Sequence, residues 1–154
     1  MAVFERSFVV QAPLQVVADF HRSPLALKRL SPPGVFVQFH QVEPLGEGSI
    51  AEFSMWMGPF PVRWRARHEN VDALRGFSDI QENGPLLSWR HMHHFEIMDD
   101  NTFPTKVASR VTDRVVFEYR RGMRWLWTRV LFSHLGLRIL FAYRAWATRR
   151  GVTR

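Results

Sequence analysis

The sequence predicts an α+β fold in a single domain over residues 1–154: a seven-stranded curved antiparallel sheet, two short helices after the first strand, and a long C-terminal helix. Three observations predict it. An isolated strand at the N-terminus is followed by two proline-initiated segments. Residues 35–118 then read as strand after strand, separated by turn chemistry. Finally, the hydrophobic period changes from two to that of a helix after Gly122. The length suits one core and is short for two substantial ones.

The elements follow in order. Val3 to Ala12 alternates, with Phe4, Arg6, Phe8 and Val10 on one face. Pro13 to His21 and Ser23 to Leu30 each open with proline near the first helical position, where its missing N–H costs nothing, and Ser23 is placed to cap the second. Ser31-Pro32-Pro33-Gly34 ends that pair. The six further strands are Val35–Glu43, Ser49–Met57, Phe60–Val71, Phe77–Glu82, Ser88–Met98 and Lys106–Glu118. Turns at Pro44 to Gly48, Gly58-Pro59, Asn83-Gly84-Pro85 and Asp99-Asp100-Asn101 imply a meander. From Gly122 to about Thr148 no proline intervenes, and at 100° per residue Leu126, Val130, Ser133, His134, Leu137 and Phe141 form one stripe facing the sheet.

Composition narrows the function classes. A hydrophobic fraction of 46% with 13 Phe and 6 Trp excludes a disordered chain. The net charge of +7 raises nucleic acid as a partner, but 19 Arg against only Lys28 and Lys106 are spread over strands and helices without a recognised binding motif, so no nucleic acid is expected. The Arg144–Arg154 end keeps an anionic surface open as a partner. With no cysteine, disulfides and thiolate chemistry are excluded. Glu5 and Arg6 interrupt the N-terminal apolar stretch, so a secretory signal is not expected, and the location is cytoplasmic by default. Leu126 to Trp146 carries Arg129, His134, Arg138 and Arg144, so a transmembrane segment is not expected.

One strand, two short helices, six strands and a terminal helix is the order of the helix-grip folds. The run Phe77-Ser78-Asp79-Ile80-Gln81-Glu82-Asn83-Gly84-Pro85 with Trp89, His91, His93 and Phe95 resembles the START/polyketide-cyclase superfamily, SRPBCC. So do Ala12-Pro13 with Val16, Pro32-Pro33, Thr112-Asp113-Arg114-Val115 with Phe117, and Phe141-Ala142-Tyr143-Arg144. The resemblance covers nearly the whole chain. It implies a lipophilic cavity between sheet and long helix that holds a lipid, quinone or polyketide-like molecule, and in some members cyclase, aromatase or dehydratase chemistry. One fold hosting binders and enzymes leaves the choice to the site.

Sorting alternate side chains by face puts Phe77, Asp79 and Gln81 together, then Trp89, His91, His93 and Phe95, then Val111, Asp113, Val115 and Phe117. Trp64, Ala66 and His68 share the inner face of their strand, whereas most arginines of these strands take the outer phase. Ionisable groups facing inward require partners or a wet cavity. Two readings stand. In one, Asp79, Gln81, His91, His93 and Asp113 orient the polar end of a hydrophobic ligand, while Trp56, Trp64, Trp89, Phe95, Phe117, Val130, His134 and Leu137 surround its body. In the other, the polar set satisfies itself and fixes strand packing. If the protein is an enzyme, His91 or His93 is the proton-transfer group and Asp79 or Asp113 holds its tautomer. His91 and His93 with a carboxylate also form a possible metal pair, but the expected architecture argues for no metal, and no motif calls for a cofactor.

Several smaller features have plain readings. Gly46-Glu47-Gly48-Ser49 joins two strands and opens no helix, so it is a hairpin turn rather than a phosphate loop. Gly58-Pro59-Phe60-Pro61 reads as a turn with an apolar tip, its functional version being a lip over the cavity. His134 reads as a core histidine with ligand contact as the alternative, and Arg144 as paired with an acidic residue at the domain edge. Trp125 and Trp146 mark either a homodimer interface or local packing.

Overall fold

The computed structural model describes residues 1–98 and 107–153. The strands are β1 (Ala2–Val10), β2 (Val35–Val42), β3 (Ile50–Met57), β4 (Phe60–Asp72), β5 (Gly76–Asn83), β6 (Ser88–Met98) and β7 (Ala108–Glu118). The helices are α1 (Leu14–Arg22), α2 (Ala26–Arg29), α3 (Leu126–Leu131) and α4 (His134–Val152), with a 3-10 turn at Met123–Trp125. The expected turn at Asp99-Asp100-Asn101 and the expected strand start at Lys106 lie outside the described residues.

The sheet runs β1-β7-β6-β5-β4-β3-β2 with every pair antiparallel. Sequence-adjacent β1 and β2 therefore occupy opposite edges, and the α1–α2 pair carries the chain between them. Arginines on the outer face join a ladder of carboxylates: Arg65 with Glu52 and Glu82, Arg67 with Glu82 and Glu69, Arg90 with Glu69. These pairs are half-exposed and contribute little individually. The inner face holds the core. Trp89, Val115 and Phe117 of β6 and β7 are buried under Leu137 and Phe141 of α4 together with Phe4 of β1, while Phe95 and Val111 pack with Val17 of α1 and Ala145 of α4.

The C-terminal segment departs from one continuous helix. It breaks at Phe132-Ser133, where Ser133 is extended (φ −61°, ψ 161°) and its hydroxyl accepts from Gly136 N at 3.0 Å while donating to the Val130 carbonyl at 2.7 Å. Ser133 is thus the N-cap of a new helix rather than a stripe residue. The Phe132 ring enters the core beside Trp64 and Trp89, its carbonyl accepting from the Tyr119 hydroxyl at 2.8 Å. The break also redistributes the expected stripe. Leu137 and Phe141 are buried as expected, whereas Leu126, Val130 and His134 are exposed. Gly136 fits the junction because a Cβ there would lie 2.2 Å from the Leu131 carbonyl oxygen.

Candidate functional site

Between the sheet and the helices lies a cavity of about 500 Å³, within the range that holds a drug-sized ligand. Its apolar wall is drawn from β2, β3 and β4 (Phe39, Phe53, Met55, Trp64), from α2 and its C-cap (Leu27, Leu30) and from α3–α4 (Val130, Leu140). Its polar end comes from His21, His68, Asp79, His91, His93 and Arg144.

Strand register explains how the polar end is assembled. His68 on β4 lies opposite Asp79 on β5, Asp79 opposite His91 on β6, and His93 opposite Asp113 on β7. Residues opposite one another in an antiparallel pair share a face, so a diagonal of alternating imidazoles and carboxylates crosses four strands. Asp113 Oδ1 accepts from His91 Nε2 at 2.9 Å. His93 Nδ1 lies 3.0 Å from the same oxygen but off the hydrogen-bond line. On its other side His93 Nε2 donates to Asp79 Oδ2 at 3.1 Å, and Asp79 Oδ1 lies 3.1 Å from His68 Nε2. His68 Nδ1 is held by Ser49.

The charge states follow from these contacts. Burial drives His93 towards neutrality, but the flanking Asp113 and Asp79 carboxylates outweigh it, so its pKa rises. Burial, reinforced by the charge of neighbouring His93, lowers His91 to about 4 despite its bond to Asp113. His91 is therefore neutral near pH 7, with its proton on Nε2 towards Asp113 and its Nδ1 lone pair 3.9 Å from Asp79 Oδ2. Burial opposes ionisation of Asp79 and Asp113, yet their histidine hydrogen bonds hold both below the usual carboxylate range. His21 is likewise lowered to about 4, by burial first and His93 second, and its Nδ1 donates to the Val17 carbonyl at 2.9 Å. His68 is raised, because Asp79 outweighs the desolvation of its ring. The His93 ring thus stands buried between two carboxylates that raise its pKa, with His91 and His21, both lowered to about 4, packed against it.

Asp79, His91 and His93 present ligand atoms within 4.8 Å of one another, a possible cation site. The hydrogen bonds argue for a proton network instead. Asp79 uses one oxygen on His68 and the other on His93, so a cation would have to displace the His93 proton.

The cavity takes in Trp64, Asp79, Trp89, His91, His93 and Val130 from the residues expected at the site. Asp113 sits behind the two histidines, 3% exposed, and does not itself line the cavity. The others lie elsewhere. Trp56 points outward, its indole N–H donating to Gln38 Oε1 at 3.0 Å, because the hairpin pairs Trp64 with Phe53 and Trp56 with Pro61. Gln81 turns to the backbone of Leu86, bracing the Asn83-Gly84-Pro85 turn. Phe95, Phe117 and Leu137 are buried in the core away from the cavity. His134 is an exposed first-turn residue of α4 rather than a core histidine. Arg144 enters the cavity wall with its guanidinium 5.4 Å over the Phe141 ring, and among the described residues no carboxylate lies within 4 Å of it. His21, Phe39, Phe53, Met55 and Leu140 line the cavity without having been marked by the sequence.

A curved antiparallel sheet gripping a long terminal helix around such a cavity defines the helix-grip class. Solved structures carry the same arrangement. The chain superposes on a protein of Thermus thermophilus with a TM-score of 0.69 at 12% identity, over 99% of this chain and 97% of that one. Ara h 8.0201 matches with a TM-score of 0.62 at 11% identity over 95% and 97% of the two chains. A nucleoside-diphosphate sugar epimerase from Corynebacterium glutamicum matches at 24% identity and a TM-score of 0.64, over 96% of this chain but 28% of the epimerase. At these identities the likeness establishes the fold. No family model and no curated protein matches the chain.

Proposed function

We propose that this protein binds a hydrophobic small molecule, of lipid, quinone or polyketide-like character, between the sheet and α4. The observation that carries the reading is the cavity of about 500 Å³, apolar over most of its wall and polar at one end. The aromatic and aliphatic wall formed by Phe53, Met55, Trp64 and Leu140 takes the apolar body. A carbonyl or hydroxyl on the ligand meets Asp79, His91 and His93, which is where a buried polar group finds partners. The resemblance to the START/polyketide-cyclase superfamily and the shared helix-grip architecture support the same reading. Native mass spectrometry of freshly purified protein, with organic extraction and mass analysis of the extract, tests it. A discrete apolar adduct that is displaced when Ala51→Trp fills the wall is the expected result. An empty protein that also fails to take up a library of such molecules would overturn it.

A second reading, catalysis of the cyclase, aromatase or dehydratase type, is favoured by one observation. His91, lowered to about 4, and His93, raised by its two carboxylates, stand side by side, ring centroids 3.9 Å apart, in the cavity lining. A base and an acid so placed serve proton abstraction from an enolisable ketone and protonation of its oxygen. A His91→Ala variant that folds and retains ligand but loses turnover supports this; parallel loss of binding and turnover removes it.

A further inference from the structure

The 36 residues from Tyr119 to Arg154 hold nine of the 21 basic residues and none of the 14 acidic ones, so the preceding 118 residues carry 12 basic against 14 acidic. The positive charge of the protein is therefore a property of this segment. Among the described residues, no arginine in it makes an ion pair; the ion pairs are confined to residues 1–118. The same segment exposes large apolar side chains. Val130 is 76%, Leu135 66% and Ile139 64% exposed, with Leu126, Trp127 and Leu131 also open to solvent.

The exposed end of α3 adjoins an exposed stripe of α4. Gly136 seats the first turn of α4 directly against the Val130 and Leu131 carbonyls, which puts the exposed end of α3 beside Leu135 and Ile139. Along α4, Leu135, Ile139, Ala142 and Trp146 fall within about 60° of one another. That stripe lies opposite the buried Leu137, Phe141, Ala145 and Thr148, and Arg138, Arg149 and Arg150 flank it. Val130, Leu131 and Ile139 also line the cavity and are exposed, so the face borders an opening of the cavity.

We infer that the exposed α3–α4 face is a docking surface for an anionic lipid bilayer, seated so that the cavity mouth opens onto the acyl layer. A bilayer interface accepts both halves of the pattern at once: apolar and tryptophan side chains enter the headgroup–acyl boundary and arginines meet lipid phosphates. Other partners satisfy one half only. A nucleic acid duplex would neutralise the arginines but leave Val130, Leu135 and Ile139 facing water. A second copy of this chain would cover the apolar residues but bring two carboxylate-free arginine faces together. The inference stands on surface residues and does not depend on what the cavity holds.

Cosedimentation of the full chain with vesicles tests it, comparing phosphatidylcholine alone with phosphatidylcholine containing phosphatidylglycerol. Binding to the anionic vesicles alone, reduced by salt, is expected. Arg138→Ala with Arg150→Ala should weaken partition about 25-fold, taking about fivefold per arginine near an anionic surface. Trp127→Ser with Leu135→Ser should weaken it at least about tenfold through lost apolar insertion. All four positions are exposed, and thermal unfolding monitors the fold of each variant. Three results would overturn the inference: equal or no binding to the two vesicle types; anionic binding unchanged by the Trp127 and Leu135 substitutions; or a dimer that these substitutions dissociate, with no vesicle binding.

Discussion

Replacing Asp113 with asparagine isolates the charge that organises the polar diagonal. The side chain is 3% exposed and flanked along β7 by buried Val111 and Val115, so no water compensates for what is lost. Asparagine is nearly isosteric, and its oxygen can still accept from His91 Nε2, the 2.9 Å bond of the native protein. The negative charge that raises the pKa of the buried His93 ring disappears, however, and an amide NH2 replaces a carboxylate oxygen in a buried site. Breaking a buried ion pair costs about 3–5 kcal/mol, and the retained acceptor places this substitution near about 3 kcal/mol. For a chain of this length that corresponds to a fall in melting temperature of about 6–12 °C. Urea unfolding followed by tryptophan fluorescence reads the loss, since Trp64 and Trp89 stand in the cavity wall. A pH series separates charge from shape. The raised pKa of native His93 contributes stability that is complete below the unfolded histidine value of about 6.5 and is lost as pH rises through the folded value. In Asp113→Asn that alkaline loss should shrink. A destabilisation under about 1 kcal/mol with an unchanged pH profile would refute the charge-pair account.

Two further outcomes follow from the same structure. His21 and His91 are held neutral with folded pKa values of about 4, so the unfolded chain binds more protons between pH 6.5 and 4 and stability falls on acidification. From pH 7 to 5 each should cost about 2 kcal/mol, partly offset by His68 and His93, and His21→Gln should flatten the acid limb of the chemical-denaturation profile. Gly136→Ala, ordinarily favourable inside a helix, should instead destabilise by about 1–3 kcal/mol, because its Cβ would meet the Leu131 carbonyl; a neutral or higher melting temperature would show that the α3–α4 junction relaxes freely.

The strands were legible because each is bounded by turn chemistry and alternates cleanly, and the polar diagonal was legible because alternation fixes the face. Asp79, His91, His93 and Asp113 could be assigned inward from their strand phases alone, and the register then brought them into contact. What alternation does not give is which strand phase faces inward when both carry aromatics. In β3, Phe53 and Trp56 compete. The two-residue Gly58-Pro59 turn decides the matter by pairing Met57 with Phe60, hence Trp64 with Phe53, and so turning Trp56 outward. That signal was in the sequence, in the turn rather than in the side chain's size.

The helical half was harder for a different physical reason. Angular stripes assume an unbroken helix, and the cap at Ser133 resets the phase, so the angle assigned to Leu126, Val130 and His134 has no bearing on α4. The spacing of Ser133 and Gly136 carries the local signal, a hydroxyl three residues before an N–H that must be capped. His21 was hidden because the inner surface of α1 is built by tertiary contact with β6 and α4. The consequence reaches function. A continuous helix would have buried Val130 against the sheet, whereas the break leaves it exposed at the cavity mouth, among arginines with no carboxylate in their segment to answer them. The cap at Ser133 thus sets both the exposed end of α3 and its place beside the cavity lining.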